Sequence, residues 1–275
     1  METIYLTREN LASRKRLAIP TVMALGFFDG LHQGHRKVIQ AALQKAKEQN
    51  VKLAVMSFFP HPKTVISNGK KKVCYLMPLS EKEKRLEQLG VDLFYIVRFD
   101  KEFSSLSPEQ FVAQYLLKLG VVHAVAGFDF SYGSRGLGNL DRLKKDSGGL
   151  IEVTKVEKVA CKGEKISSTC IRERLVKGLV EEIPYFLGRP YEVKGTRDGM
   201  TIQLEAFYTL PAPGRYMVTV KNELHFIETE LIVTEESMLQ TCRELPYHMA
   251  GELSILWHHQ ITNHEISNEK MLVTI

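Results

Sequence analysis

Two histidines three residues apart, His32 and His35, lie in a glycine-rich segment that could bind phosphate. The segment follows an apolar run, residues 21–25, and precedes a stretch of helical composition, residues 36–49. A helix N-terminus offers unpaired N–H groups and partial positive charge to an anion, and histidines three apart on a helix share a face. Glycines let the backbone approach a ligand closely; here they are Gly26, Gly30 and Gly34. The pattern predicts a phosphate-binding turn between a buried strand and a helix.

Three further segments carry residues that could contact a ligand. Residues 57–62 read Ser-Phe-Phe-Pro-His-Pro and end an apolar run. Residues 127–133 read Gly-Phe-Asp-Phe-Ser-Tyr-Gly and offer aromatic stacking surface. Residues 166–172 read Ile-Ser-Ser-Thr-Cys-Ile-Arg, with hydroxyl groups ahead of a helical run and an arginine one turn in. Each segment also has an ordinary structural interpretation, as a strand end, a packed turn and a helix N-cap.

The elements around these segments alternate between strand and helix. Strands are predicted over residues 21–25, 51–59, 94–99, 121–126 and 151–156. Helices are predicted over residues 79–89, with Ser80 and Glu83 as a capping box, from Ser107 to Gly120, and over residues 140–145. Residues 63–72 are predicted to form a mobile basic loop. This alternation predicts an α/β fold with a doubly wound parallel sheet, in which ligands bind beyond the carboxyl ends of the strands.

The composition favours a small phosphorylated ligand. The length of 275 residues predicts two domains, and the formal net charge of +5 falls short of the dense basic patch of a nucleic-acid-binding protein. The four cysteines lack metal-binding spacing, no apolar run approaches the roughly 20 residues that span a bilayer, and the N-terminus lacks the apolar core of a signal peptide. We expect a cytoplasmic protein with no membrane partner and no nucleic acid; the oligomeric state stays open.

The residue types and the order of the four segments resemble those of the bacterial riboflavin kinase/FMN adenylyltransferase family, the prokaryotic FAD synthetases. The first segment is similar to the His-x-Gly-His signature of nucleotidyltransferases, preceded by the Phe-Asp-Gly of the FMN adenylyltransferase module. The others resemble the family's Phe-x-Pro-His-Pro, Gly-x-Asp-Phe-x-Phe-Gly and Ile-Ser-Ser-Thr-x-x-Arg segments. One departure is Cys170, where relatives often carry arginine. The resemblance covers residues 1–187, the expected FMN adenylyltransferase domain.

The resemblance implies transfer of the adenylyl group of ATP to FMN, which yields FAD and pyrophosphate. It assigns catalytic roles to His32, His35, Asp29 and Arg172. The implied ATP-binding residues are Gly26, Phe27, Phe28, Gly30, Gly34, Ser167, Ser168, Thr169 and Arg172. The implied flavin-binding residues are Phe59, His61, Pro62, Phe128, Asp129, Phe130, Tyr132 and Asn139.

Magnesium is expected together with the ATP, but its protein ligands are not assigned. The nearest candidate carboxylate is Asp29, which could equally fix the glycine-rich turn through backbone hydrogen bonds. Both interpretations of Asp29 stay open.

Beyond residue 187 the sequence changes character. Short alternating runs, at residues 201–205, 215–220, 224–227, 231–233 and 253–257, predict a smaller antiparallel, barrel-like β domain over residues 188–275. Its predicted core is Leu210, Tyr216, Val218, Val220 and Trp257. Gly188-Arg189-Pro190-Tyr191 resembles the opening of the family's riboflavin kinase barrel, but residues 195–206 lack the Pro-Thr-Ala-Asn that holds nucleotide and metal there. The expected domain is therefore a degenerate kinase domain without kinase activity.

Other functions stay open at this point. The chain could be a bifunctional riboflavin kinase/FAD synthetase or a nucleotidyltransferase for another phosphate ester. It could also be a non-catalytic flavin- or RNA-binding regulator derived from the family. The basic residues 70–72 and the altered second domain support that interpretation. His258, His259 and His264 could suggest a metal site, although a strand end explains His258 and His259 better.

Overall fold

The computed structural model describes residues 1–70, 73–205 and 208–261. The chain divides into two compact units, Met1–Val73 with Leu79–Ala160, and Cys74–Pro78 with Cys161–Ile275. We call them the sheet unit and the barrel unit. Residues 161–187 thus group with the barrel by their contacts. The boundary between the two functional domains after residue 187 stays a prediction.

A six-stranded parallel sheet forms the centre of the sheet unit, in the order β1-β4-β3-β2-β5-β8. The strands of this unit are β1 (Glu2–Leu6), β2 (Thr21–Leu25), β3 (Lys52–Phe59), β4 (Leu93–Arg98), β5 (Val121–Gly127), β6 (Ser131–Tyr132), β7 (Gly138–Asn139) and β8 (Glu152–Val156). All five residues of the central strand β2 are buried. The predicted parallel α/β sheet is confirmed. The edge strand β1 lies outside the predicted strands, because its half-exposed sequence lacks the apolar run of a buried strand.

Helices cover the sheet at α1 (Arg8–Arg16), α2 (Gln33–Glu48), α3 (Pro62–Ile66), α4 (Leu79–Gln88), α5 (Lys101–Ser104), α6 (Pro108–Phe111) and α7 (Leu140–Asp146). Helix α2 buries Val38, Ile39, Ala42 and Ala46. Ser107 caps α6 with a capping box, and the helical path ends at Gly120, which has a left-handed backbone, as predicted. A Cβ on Gly120 would lie 2.3 Å from the Ile19 carbonyl oxygen.

Two local predictions in this unit are wrong. Ser80 is not an N-cap, because α4 already begins at Leu79. Residues 63–66 are helical rather than loop, because His61 caps α3 and Pro62 starts it with a suitable backbone angle. The remainder of the predicted loop includes Lys71 and Lys72, which lie outside the described residues.

The barrel unit contains a closed antiparallel barrel, in the order β11-β12-β15-β14-β13-β16. A short hairpin of β9 (Ala160–Cys161) and β10 (Glu164–Lys165) precedes the helices and the barrel strands. The elements that follow it are α8 (Ser168–Val176), α9 (Ile183–Leu187), β11 (Glu192–Asp198), β12 (Thr201–Leu204), β13 (Gly214–Lys221), β14 (Phe226–Val233), β15 (Leu239–Thr241) and β16 (Glu252–Gln260). The predicted antiparallel barrel is confirmed. The predicted runs at 224–227 and 231–233 are not separate strands, because residues 226–233 form the single strand β14.

The barrel core contains Tyr216, Val218, Val220 and Trp257, as predicted, whereas Leu210 is only partly buried. His258 bonds to Thr219 on the neighbouring strand, with 2.7 Å between His258 Nε2 and Thr219 Oγ1. His264 lies outside the described residues. In the part of the chain that is described, no helix is long and apolar enough to cross a bilayer.

Candidate active site

The turn after β2 has an unusual backbone. Phe28, Gly30 and Leu31 have φ angles of 54°, 78° and 46°. A left-handed backbone on a bulky residue is unfavourable and is kept where the surroundings enforce it, most often at functional sites. Phe28 is buried, and a Cβ on Gly26 would lie 3.0 Å from the Phe28 ring. The buried ring therefore leaves little room for a side chain at position 26, which favours glycine there. We call residues 26–35 the signature turn.

His32 and His35 share one face at the start of α2. Their rings stack with centroids 3.6 Å apart and planes 16° apart. His32 is the N-cap of α2, and its Nδ1 accepts the backbone N–H of His35 at 3.2 Å. A neutral imidazole that accepts at Nδ1 carries its proton on Nε2. The cap therefore makes His32 Nε2 a hydrogen-bond donor.

His35 is held in the neutral form. Burial, and then electrostatic interaction with His32 and with Lys82, keep the pKa of His35 well below its usual 6.5. Its Nδ1 is buried and has no hydrogen-bond partner among the described residues. A neutral ring beside a helix N-terminus can donate one hydrogen bond to a phosphate oxygen without itself carrying charge.

Lys82 and Asp29 lie buried beside the signature turn. Asp29 is 1% exposed and Lys82, on α4, is 4% exposed. Desolvation lowers the pKa of Lys82 to about 8, and the charge of Asp29 opposes that shift. This burial favours the interpretation of Asp29 as a residue that fixes the turn. Sequence reasoning missed Lys82, since a lysine on an amphipathic helix normally faces water.

The strand end after β3 meets the signature turn. His61 Nδ1 accepts the backbone N–H of Lys63 at 3.0 Å and caps α3, of which Pro62 is the first residue. The His61 ring lies edge-on to the Phe27 ring, with centroids 4.3 Å apart. Phe59 is partly exposed at the end of β3. The structure thus brings two of the predicted segments together in the sheet unit.

The loop after β5 offers one exposed ring. Phe128 is 40% exposed, whereas Phe130 packs against the hydrophobic core of the sheet unit. Asp129 lies between them and is exposed to solvent. Of these residues, Phe128 presents the surface on which a flavin ring could stack.

Tyr132 and Asn139 have structural partners of their own. Tyr132 is 5% exposed and donates its hydroxyl proton to Asp146 Oδ2 at 2.6 Å. Burial and the Asp146 carboxylate raise the pKa of Tyr132 strongly. Asn139 is exposed and caps α7, since its Oδ1 accepts the backbone N–H of Arg142 at 3.1 Å. The flavin contacts of Tyr132 and Asn139 stay predictions.

The fourth segment starts helix α8 in the barrel unit. Ser167 is its N-cap, and Ser167 Oγ accepts the backbone N–H of Cys170 at 3.2 Å. The buried Cys170 thiol donates to the Ser167 carbonyl at 3.0 Å. Ser168 and Thr169 therefore do not act as the cap, and Thr169 is exposed. The N-cap interpretation of these two hydroxyl groups no longer holds.

Arg172 lies one turn into α8. Its Nε donates to the Cys74 carbonyl oxygen at 3.0 Å, which orients the guanidinium group. For magnesium, the described residues contain no group of three His, Cys, Asp or Glu side chains that could hold a metal ion. Magnesium usually keeps several water or phosphate ligands and needs few ligands from the protein.

Comparison with known proteins identifies the family. A family model described as FAD synthetase matches residues 15–170. Two proteins named bifunctional riboflavin kinase/FMN adenylyltransferase are similar: one from Listeria monocytogenes is 44% identical, covering 82% of this chain and 76% of its own length, and one from Bacillus subtilis is 42% identical, covering 79% and 72%. A protein named FAD synthetase, also from Listeria monocytogenes, is 32% identical, covering 71% and 79%.

A crystal structure described as a macrolide-efflux protein from Streptococcus pneumoniae has the same fold. It superposes with a TM-score of 0.82 at 25% sequence identity, covering 95% of this chain and 100% of that chain. The family model spans more than half of the chain, and the first two relatives share over two-fifths of their aligned residues with it. The chain therefore belongs to the FAD synthetase family.

Proposed function

We propose that the protein is an FMN adenylyltransferase that makes FAD and pyrophosphate from FMN and ATP. The observation that carries the proposal is the stacked pair of His32 and His35 at the start of α2, where His35 is neutral and its buried Nδ1 lacks a protein partner among the described residues. Membership of the FAD synthetase family supports the choice of substrates.

In the proposed reaction an oxygen of the FMN phosphate attacks the α-phosphorus of ATP in line, and pyrophosphate leaves. The phosphate oxygens gain negative charge in the transition state, so preorganised donors lower the barrier. His32 and His35, with the backbone N–H groups of α2, would stabilise the α-phosphate and the leaving pyrophosphate. Ser168, Thr169 and Arg172 would hold the β- and γ-phosphates, and magnesium would neutralise phosphate charge.

The flavin would bind at the strand ends of the sheet unit. The partly exposed rings of Phe59 and Phe128, with His61 beside Phe27, offer apolar and stacking contacts. These contacts would place the FMN phosphate near the signature turn. Positioning of the two reactants supplies a large share of catalysis in such a transfer.

We further propose that the barrel unit does not phosphorylate riboflavin. The described part of residues 195–206 forms the hairpin of β11 and β12, with Gly199 at the turn, and its sequence contains no Pro-Thr-Ala-Asn. The relatives from Listeria and Bacillus are named bifunctional, so this is a property to be tested on this chain directly.

One assay tests both statements. Purified protein is incubated with magnesium and ATP, and with either FMN or riboflavin, and the products are resolved by chromatography. We expect FAD from FMN and no FMN from riboflavin. Absence of FAD would overturn the adenylyltransferase, and FMN formed from riboflavin at a rate comparable with FAD formation would show a bifunctional enzyme.

A further inference from the structure

Lys82 is a buried cation beside the signature turn. Of the lysines and arginines that the structure describes, it alone is buried, with 4% of its surface exposed. Its neighbour on α4, Lys84, is exposed. Burial of an ammonium group is strongly unfavourable, and an apolar side chain of similar length would pack there without that desolvation. A lysine at this position therefore needs hydrogen-bond and charge partners that an apolar side chain would not need.

The ammonium group of Lys82 ties three elements together. Its Nζ donates to the Phe27 carbonyl oxygen at 2.9 Å and lies 3.4 Å from Ser57 Oγ. The Ser57 hydroxyl donates to the same carbonyl at 2.8 Å. Nζ also lies 4.9 Å from the centroid of the Phe27 ring, within cation–π distance. The start of the signature turn is thereby fixed to β3 and α4.

The charge of Lys82 also acts on the ionisable groups of the turn. Asp29 favours the charged form of Lys82, and Lys82 in turn helps to keep His35 neutral. His32 lowers the pKa of His35 as well. A positive charge behind this turn attracts a polyphosphate from the protein side, where water cannot screen it well.

We propose that Lys82 is a positioning residue for adenylyl transfer: by fixing the Phe27 carbonyl it holds the turn so that His32 and His35 face the phosphates of ATP. The inference deepens the proposed function and rests on it. Lys82 is not assigned a contact with the substrate, because its ammonium group faces a backbone carbonyl within the protein.

The test compares Lys82→Met with the matched control Lys84→Met on the same helix. For Lys82→Met we expect a kcat for FAD formation lower by roughly 10-fold to 100-fold, the scale of a displaced catalytic group. Its KM for FMN should change little, and its thermal unfolding midpoint should fall, because the buried Asp29 carboxylate and the Phe27 carbonyl oxygen lose the ammonium group that faces them. Lys84→Met should match the wild type in all three. Lys82→Arg should recover part of the loss, because it keeps the charge in a different geometry.

Calorimetric titration with magnesium and ATP separates this inference from the proposed function. Lys82→Met should bind ATP several-fold more weakly than Lys84→Met, and this can be measured even if the wild type makes no FAD, the result that overturns the proposed function. The inference is overturned if Lys82→Met retains both kcat and ATP affinity within twofold. It is equally overturned if activity falls only in proportion to a loss of folded protein, since Lys82 would then serve the fold alone.

Discussion

The signature turn of the sheet unit and the start of α8 in the barrel unit are both helix N-termini, yet they are built differently. The first is capped by His32 and contains two bulky residues, Phe28 and Leu31, with a left-handed backbone. The second has an ordinary serine cap, Ser167. Unfavourable backbone and buried ionisable groups thus concentrate in the sheet unit. We therefore expect the chemistry to depend most on the signature turn, and α8 to contribute mainly to binding.

The largest expected effect is in the signature turn. His35→Ala should fold normally and lose FAD formation by roughly 10²-fold or more, the scale of removing one transition-state donor. Steady-state kinetics measure the loss, and circular dichroism checks the fold. His259→Ala, at an exposed position on β16, is the matched control and should keep full activity. Near-normal activity in His35→Ala would show that the chemistry does not depend on the signature turn more than on α8.

A smaller effect is expected at α8. Arg172→Lys should raise the KM for ATP by roughly 10-fold and change kcat less, because an ammonium group cannot reproduce the planar guanidinium fork. Arg243→Lys, at an exposed site in the barrel unit, should leave both constants unchanged. Unchanged ATP dependence in Arg172→Lys would assign this arginine to structure, through its hydrogen bond to Cys74.

The pH dependence of kcat and of stability tests the role of the buried Lys82 charge in the sheet unit. Because the pKa of Lys82 is about 8 and that of an unfolded lysine is higher, kcat should fall as Lys82 loses its proton above pH 8. Over the same range the unfolded chain binds more protons than the native one, so the contribution of Lys82 to stability should rise. Asp29 and His35 face this charge, and the His35 ring should stay neutral because its pKa lies well below this range.

Kinetics and thermal unfolding from pH 7 to 10 measure these opposite trends. Lys82→Met should lack the part of the fall in kcat and the part of the rise in stability that arise from deprotonation of Lys82. A wild-type profile that matches the profile of Lys82→Met would contradict the assignment.

The smallest effect is expected at the cap of α8. Cys170→Ala keeps the Ser167 cap on the backbone N–H of residue 170 but removes the thiol contacts with Ser167, and it should destabilise the protein by about 1 kcal/mol, the scale of a lost hydrogen bond. FAD formation at 25 °C should be unchanged. Chemical denaturation measures the stability, with Cys161→Ala as the control. A large loss of activity in Cys170→Ala would show that α8 is as sensitive as the signature turn.

Local patterns predicted most elements of both units. The apolar run at residues 21–25 and the Ser107 cap were sufficient for β2 and α6, because their signals lie within a few residues. The edge strand β1 and the helix α3 were not predicted, since one depends on pairing with β4 and the other on a histidine cap. Ser80 failed as a cap because the packed helix starts one residue earlier.

The sequence by itself determined the family, the order of the four motif segments and the parallel-sheet and barrel architectures, because the residue types of a motif and the hydrophobic period are local properties. Only the tertiary structure decided that Lys82 is buried against Phe27 and that Tyr132 is tied to Asp146. It also decided that His35 is neutral. Burial and charge environment depend on residues far apart in the chain, so no local pattern could supply them.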